Sequence, residues 1–132
     1  MNVELKVSEN EKISLSSFER FEDGSGCCSV VSVKSGKFSC SDIDIYFDDL
    51  KLFYEQLKSI YENLKGKAQL KFAYEDDHIT FEATSLGHIE VTGLFKENGH
   101  FIQYMEFGFE FDQSYLPEFL QQLEVVVEQE YS

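Results

Sequence analysis

KAQLKFAYEDDHITFEATSLGHIEVTGLFKENGHFIQYMEFGFEFD, residues Lys67–Asp112, carries the pattern that decides the fold. Apolar and polar residues alternate with a period of two, as they do in strands with one buried and one wet face. Ala68, Leu70, Phe72 and Tyr74 share a side. After a turn at Asp76–Asp77 come Ile79, Phe81 and Ala83, and after Leu86–Gly87 come Ile89, Val91 and Phe95. Asn98–Gly99, a dipeptide suited to hairpin turns, leads to Phe101, Met105, Phe107, Phe109 and Phe111. Turns this short join antiparallel neighbours, so the stretch predicts a meander. Its opposite face carries Gln69, Lys71, Thr80, Glu82, Thr84, Glu90, Thr92, Glu106, Gly108 and Glu110. A sheet wet on one side is covered by other elements on the other.

Both flanks of this meander read as helices. Upstream, Leu50, Phe53, Leu57, Ile60 and Leu64 recur at three- and four-residue steps. Asp48 or Asp49 supplies a cap, Lys65 suits the negative end, and Gly66 stops a helix of ~27 Å. Downstream, Ser114 is the expected N-cap, and Pro117 is tolerable only in a first turn. Leu116, Phe119, Leu120, Leu123, Val126 and Val127 then form one stripe in a helix reaching about Glu130.

The N-terminal part alternates too. Val3, Leu5 and Val7 begin it, Ile13 and Leu15 continue to about Phe21, and Glu22–Gly26 (EDGSG) forms a turn on Gly24 and Gly26. Cys28, Val30, Val31 and Val33 give a third strand; Cys40–Phe47 alternates as well and fits either its extension or a loop. The prediction is a single α+β domain over residues 1–132, ordered βββ-α-ββββ-α. A mostly antiparallel sheet of about seven strands carries both helices on one face.

Composition narrows the function classes. The chain has 132 residues with 42% hydrophobic and 15% aromatic content, enough for a core without metal or disulfide staples. Met1–Lys12 lacks the apolar stretch of a secretory signal, and no window reaches the ~18–20 apolar residues of a membrane span. Cys27, Cys28 and Cys40 form an odd set without CxxC spacing, as expected of reduced thiols in a cytoplasmic protein. A net charge of −14 repels nucleic acid and anionic membranes, so neither is an expected partner.

Catalytic and metal signatures fail one by one. His78, His88 and His100 each follow a turn; in a meander His88 falls at the opposite end of the sheet from the other two, too far to share an ion. Asp42 and Asp44 resemble the start of a calcium loop, but Phe47 and Phe53 occupy the positions that need Gly and Glu. Gly24-Ser25-Gly26 is too short for a phosphate cradle, and neither GxSxG nor HExxH occurs. No enzyme activity is expected.

The carboxylates are unevenly placed. After Lys96 there is no Lys or Arg, while Glu97, Glu106, Glu110, Asp112, Glu118, Glu124, Glu128 and Glu130 give that segment −8 of the total −14. Glu124 and Glu128 form a like-charge i,i+4 pair at a helix end that favours cations, which costs a few tenths of a kcal/mol. Glu82, Glu90, Glu106 and Glu110 share the wet sheet face with Tyr104, an aromatic of the kind interfaces use. These seven residues, Glu82, Glu90, Tyr104, Glu106, Glu110, Glu124 and Glu128, are the candidate partner-binding set.

Ser39–Gly66 (SCSDIDIYFDDLKLFYEQLKSIYENLKG), the following KAQLKFAYEDDHITFEATSLGHIEVTG and the closing FEFDQSYLPEFLQQL at Phe109–Leu123 resemble the WapI-type immunity proteins. The likeness runs from about Val30 onward and is strongest in Leu86–His88 (LGH) and Asp112–Pro117 (DQSYLP). That family guards bacteria against their own contact-delivered polymorphic toxins. The resemblance implies a cytoplasmic protein that blocks a toxin domain, often a nuclease, with no cofactor and no turnover. A basic toxin domain is the partner that an acidic surface fits. The alternative is a generic protein-binding or homodimeric regulatory module, since open sheet edges offer a route to pairing.

Overall fold

Alternation along the chain builds two antiparallel meanders of four strands each. The computed structural model describes residues 2–22, 26–47, 49–72 and 76–131, the last two by backbone alone. The N-terminal sheet runs in chain order through β1 (Asn2–Ser8), β2 (Glu11–Arg20), β3 (Cys27–Ser35) and β4 (Phe38–Phe47). The C-terminal sheet does the same through β5 (Lys67–Lys71), β6 (His78–Ala83), β7 (His88–Glu97) and β8 (Gln103–Asp112). Asp48, Tyr74 and Gly24, which the sequence placed at a cap, on a strand and in a turn, lie outside the described residues.

The α+β class, the two helices and the alternation of elements follow the sequence reading, but among the described residues the strands number eight and form two sheets. Cys40–Phe47, open between loop and strand, lies within β4; it pairs with β3 from Cys27↔Phe47 to Ser35↔Phe38 across a turn in which Gly36 has φ 64°. A helix then separates β4 from β5. These two strands cannot be hairpin neighbours, and the sheet divides there.

That helix, α1 (Leu50–Asn63), begins where the Asp49 carboxylate accepts the Leu52 N–H at 2.9 Å. It ends earlier than its apolar spacing suggests. Leu64, not Gly66, leaves the helix in the left-handed conformation (φ 55°), its N–H donating to Ile60 O at 2.8 Å. The helix is therefore about 21 Å long and Leu64 drops off the buried stripe. The second helix, α2 (Leu116–Tyr131), follows a 3₁₀ turn at Gln113–Tyr115. Asp112 rather than Ser114 caps this entry, accepting the Ser114 N–H at 2.9 Å. Pro117 falls in the first turn, and the whole predicted stripe of α2 is buried.

Phe81 of β6 is the meeting point of the core. Its ring lies 5.8 Å from Phe53 of α1, 6.2 Å from Phe119 of α2 and 6.2 Å, edge-on, from Phe111 of β8. Both helices thus cover the inner face of the C-terminal sheet, and α2 also meets β1, where the Glu4 N–H donates to Gln122 Oε1 at 2.7 Å. Buried side chains from both sheets and both helices form one continuous core. Elsewhere the sheets touch through Ser35, whose hydroxyl donates to Gly108 O at 3.4 Å. Phe101, expected in the inward row of β8, instead lies exposed with Ile102 in the 98–102 connection. Among the described residues no helix is long and apolar enough to cross a membrane.

Candidate partner-binding surface

Strand register sets the geometry of the wet face. Lys67 lies opposite Glu82, Glu82 opposite Glu90, and Glu90 opposite Glu110, so three carboxylates form one row across β6, β7 and β8. Their neighbours Phe81, Val91, Phe109 and Phe111 are buried, which turns the row outward. Directly opposed like charges destabilise a sheet. Basic side chains stand at both ends of the row: Lys67 Nζ is 3.7 Å from Glu82, and His88 Nδ1 is 3.3 Å from Glu110. Glu90, at its centre, has no ion pair among the described residues, and neither has Glu106 further along the same face of β8. Tyr104 continues that face and is 68% exposed.

Leu86 stands in the tight connection between β6 and β7, the strands that carry Glu82 and Glu90. In Ser85–His88 the His88 N–H donates to Ser85 O at 3.0 Å, and Leu86 and Gly87 have φ of 55° and 81°. Positive φ at both central positions suits the twist of a tight hairpin, but asks Leu for a conformation costing ~1–2 kcal/mol. Leu86 is also 95% exposed, so its apolar side chain gains nothing from the fold. The signal in the sequence was a Leu where Asn or Asp is usual before Gly.

The helix carboxylates belong elsewhere. Burial above all, then the charge of Glu124 and a hydrogen bond to it, then Glu128 and Glu62, hold the Tyr54 phenol above its ordinary range. Glu124 thus has a structural partner between the helices. Since α2 meets Phe81 on the inner face of β6, Glu124 and Glu128 are not brought together with Glu82 and Glu90.

A crevice of about 540 Å³ opens between the two sheets, lined by Asp42 of β4, Asp77 beside β6, Glu97 of β7 and Tyr104 of β8. A register shift opposite Val31–Val33 puts a bulge in β4, where Asp42 adopts φ 55° and its N–H donates to Ser32 Oγ at 3.1 Å. Asp77 is only 5% exposed. Its Oδ2 accepts the Lys96 N–H at 3.1 Å and its main-chain O accepts the Phe72 N–H at 3.1 Å, yet Oδ1 is buried without a hydrogen-bond partner. Burial, reinforced by Glu97 and Asp77, pushes the Cys40 thiol above its ordinary range. Sequence reading missed this site, having assigned Asp77 to a turn. One signal was present: Cys40 to Ile43 to Ile45 takes a three-residue step before resuming two, as a bulge demands.

The histidines do separate things. His78 Nδ1 is 3.1 Å from Asp76 O, His88 faces Glu110, and His100 lies edge-on to Phe101 with ring centres 4.8 Å apart. Among the described residues no group of three or more His, Cys, Asp or Glu could hold a metal ion.

No curated protein and no solved structure matches the chain. The sequence model of the immunity protein WapI-like family does match, over residues 2–130. The match takes in β1 and β2, upstream of the Val30 boundary at which the resemblance began, so it spans both sheets and nearly all of α2. With this coverage, the chain belongs to the immunity protein WapI-like family, which implies a toxin as its partner.

Proposed function

We propose that this protein is a cytoplasmic, non-catalytic inhibitor that neutralises a cognate polymorphic toxin domain by laying the outer face of its C-terminal sheet against it. The observation that carries the reading is the Glu82–Glu90–Glu110 row, whose central carboxylate makes no ion pair among the described residues. Folding alone favours a Lys at position 90, so the arrangement is best answered by positive charge on another molecule. Glu106 and Tyr104 extend the face, and exposed Leu86 adds an apolar anchor near one end. A basic toxin domain fits such a surface. Nucleases are the toxin class that matches best, because carboxylates then stand where substrate phosphates bind. Charges of this kind speed encounter and set specificity more than they add affinity.

The test uses the toxin domain encoded beside this protein, with affinity measured by calorimetry at low and high salt. Binding should weaken as salt rises. Glu90→Lys should stabilise the inhibitor by about 0.2–1 kcal/mol, since it relieves two opposed carboxylates, while weakening toxin binding about tenfold. Absence of any toxin binding overturns the proposal. Binding indifferent to both salt and Glu90→Lys removes the acidic sheet face from it.

A further inference from the structure

Asp77 lines an open crevice, and one of its carboxyl oxygens is buried without a hydrogen-bond partner. A polar atom so placed is costly unless something donates to it, and buried orphans of this kind call for an explanation. We infer, on the reading that the protein binds a toxin, that this crevice is a receptor for an arginine side chain presented by that toxin.

The lining chemistry selects the guest. Asp42, Asp77 and Glu97 supply acceptors, and Phe95 and Tyr104 supply aromatic surface beside them. A compact divalent ion is a poor match, because no three acidic, His or Cys groups among the described residues are close enough to ligate one. A guanidinium suits the site better: its planar fork donates to separated carboxylates, and its faces stack on aromatic rings. Burial chiefly, with Glu97 and Asp77 adding to it, raises the Cys40 thiol on the same wall. Lys96, which also lines the crevice, gives Asp77 its main-chain N–H; its ammonium makes no ion pair among the described residues.

Exposed apolar side chains adjoin the lining residues along the chain. Phe101 and Ile102, immediately before the lining residue Gln103, are 74% and 65% exposed, and Phe38, next to the lining residue Ser39, is 71% exposed. Apolar residues that exclude water around a central charged anchor are the usual surroundings of an interface hot spot. Tyr104 belongs to both the crevice and the sheet face, so one partner can engage the two together.

The experiment has two arms. In the first, N-acetyl-arginine amide and N-acetyl-lysine amide are titrated separately into the isotopically labelled protein. The Lys96 amide resonance, which reports on Asp77, should shift saturably with the arginine compound and little with the lysine one. The double substitution Asp42→Asn/Glu97→Gln alters two exposed side chains and should abolish the shift. In the second arm the same double variant should bind the toxin domain about tenfold more weakly than wild type. If the wild type binds toxin but the variant binds it equally well, or if lysine shifts the resonance as strongly as arginine, the arginine receptor is overturned while toxin neutralisation stands. If the wild type binds no toxin, the underlying reading fails and the crevice loses its assigned partner.

Discussion

Gly93 shows how tightly single side chains are fitted. A Cβ there would overlap the Phe107 ring, directly opposite on β8, and come within 2.8 Å of His78 O. Phe107 in turn stacks on Phe95 with ring centres 5.5 Å apart. Gly93→Ala should therefore cost about 1–3 kcal/mol, read from the urea midpoint, because neither the ring nor the backbone oxygen has room to retreat. Leu86 presents the opposite case. Leu86→Asn should stabilise the fold by up to about 1 kcal/mol, since Asn tolerates the left-handed conformation that Leu resists. Cys40 gives a chemical readout. Its native thiol ionises above its ordinary range, chiefly through burial, so iodoacetamide at mildly alkaline pH should modify it more slowly than in the urea-unfolded chain. The corresponding stabilisation is complete below the ordinary thiol range and is lost as pH rises through the native value.

At the level of elements, caps carry much of the specification. Asp49→Ala removes the acceptor for the Leu52 N–H and should cost about 1 kcal/mol, seen in the thermal midpoint. Asp112 adds a pH dependence whose sign is fixed. The Ser114 N–H and hydroxyl, with a smaller pull from His88, hold its carboxyl below the ordinary range. Its contribution is present above that range and lost as pH falls through the depressed native value. The thermal midpoint of Asp112→Ala should lie below wild type at neutral pH and converge with it in acid. Elements of this kind were readable in the sequence because periods of two and 3.6 are local properties. Their ends were less so. Leu64 leaves α1 before Gly66, and the 98–102 connection runs past Asn98–Gly99 to take Phe101 off the strand. The division into two sheets was hidden because pairing across α1 is decided by where chain-distant strands can meet. The crevice was hidden for the same reason: Asp42 and Asp77 come from different sheets, and the burial of Asp77 depends on the main chain of Lys96.

Over the whole molecule, the acidic bias separates into three places: the sheet row, the inter-sheet crevice and the helix pair around Tyr54. Glu90 and Glu106 in the first make no ion pair among the described residues, whereas Glu124 in the last has Tyr54 as a partner. The first two adjoin at Tyr104, so on the proposed reading one partner would span both. β8 is also the last strand of its sheet, and its Gly108 O accepts the Ser35 hydroxyl of the other sheet. Two copies joined antiparallel across that border, with Gly108 facing Gly108, would set each Glu106 against the neighbour's Glu110. Such a ladder is electrostatically self-avoiding. Sedimentation in low-salt buffer should accordingly show single molecules even at high protein concentration. On the proposed reading, the same carboxylates that would attract a basic toxin would hold identical copies at arm's length and leave the sheet face open to its partner.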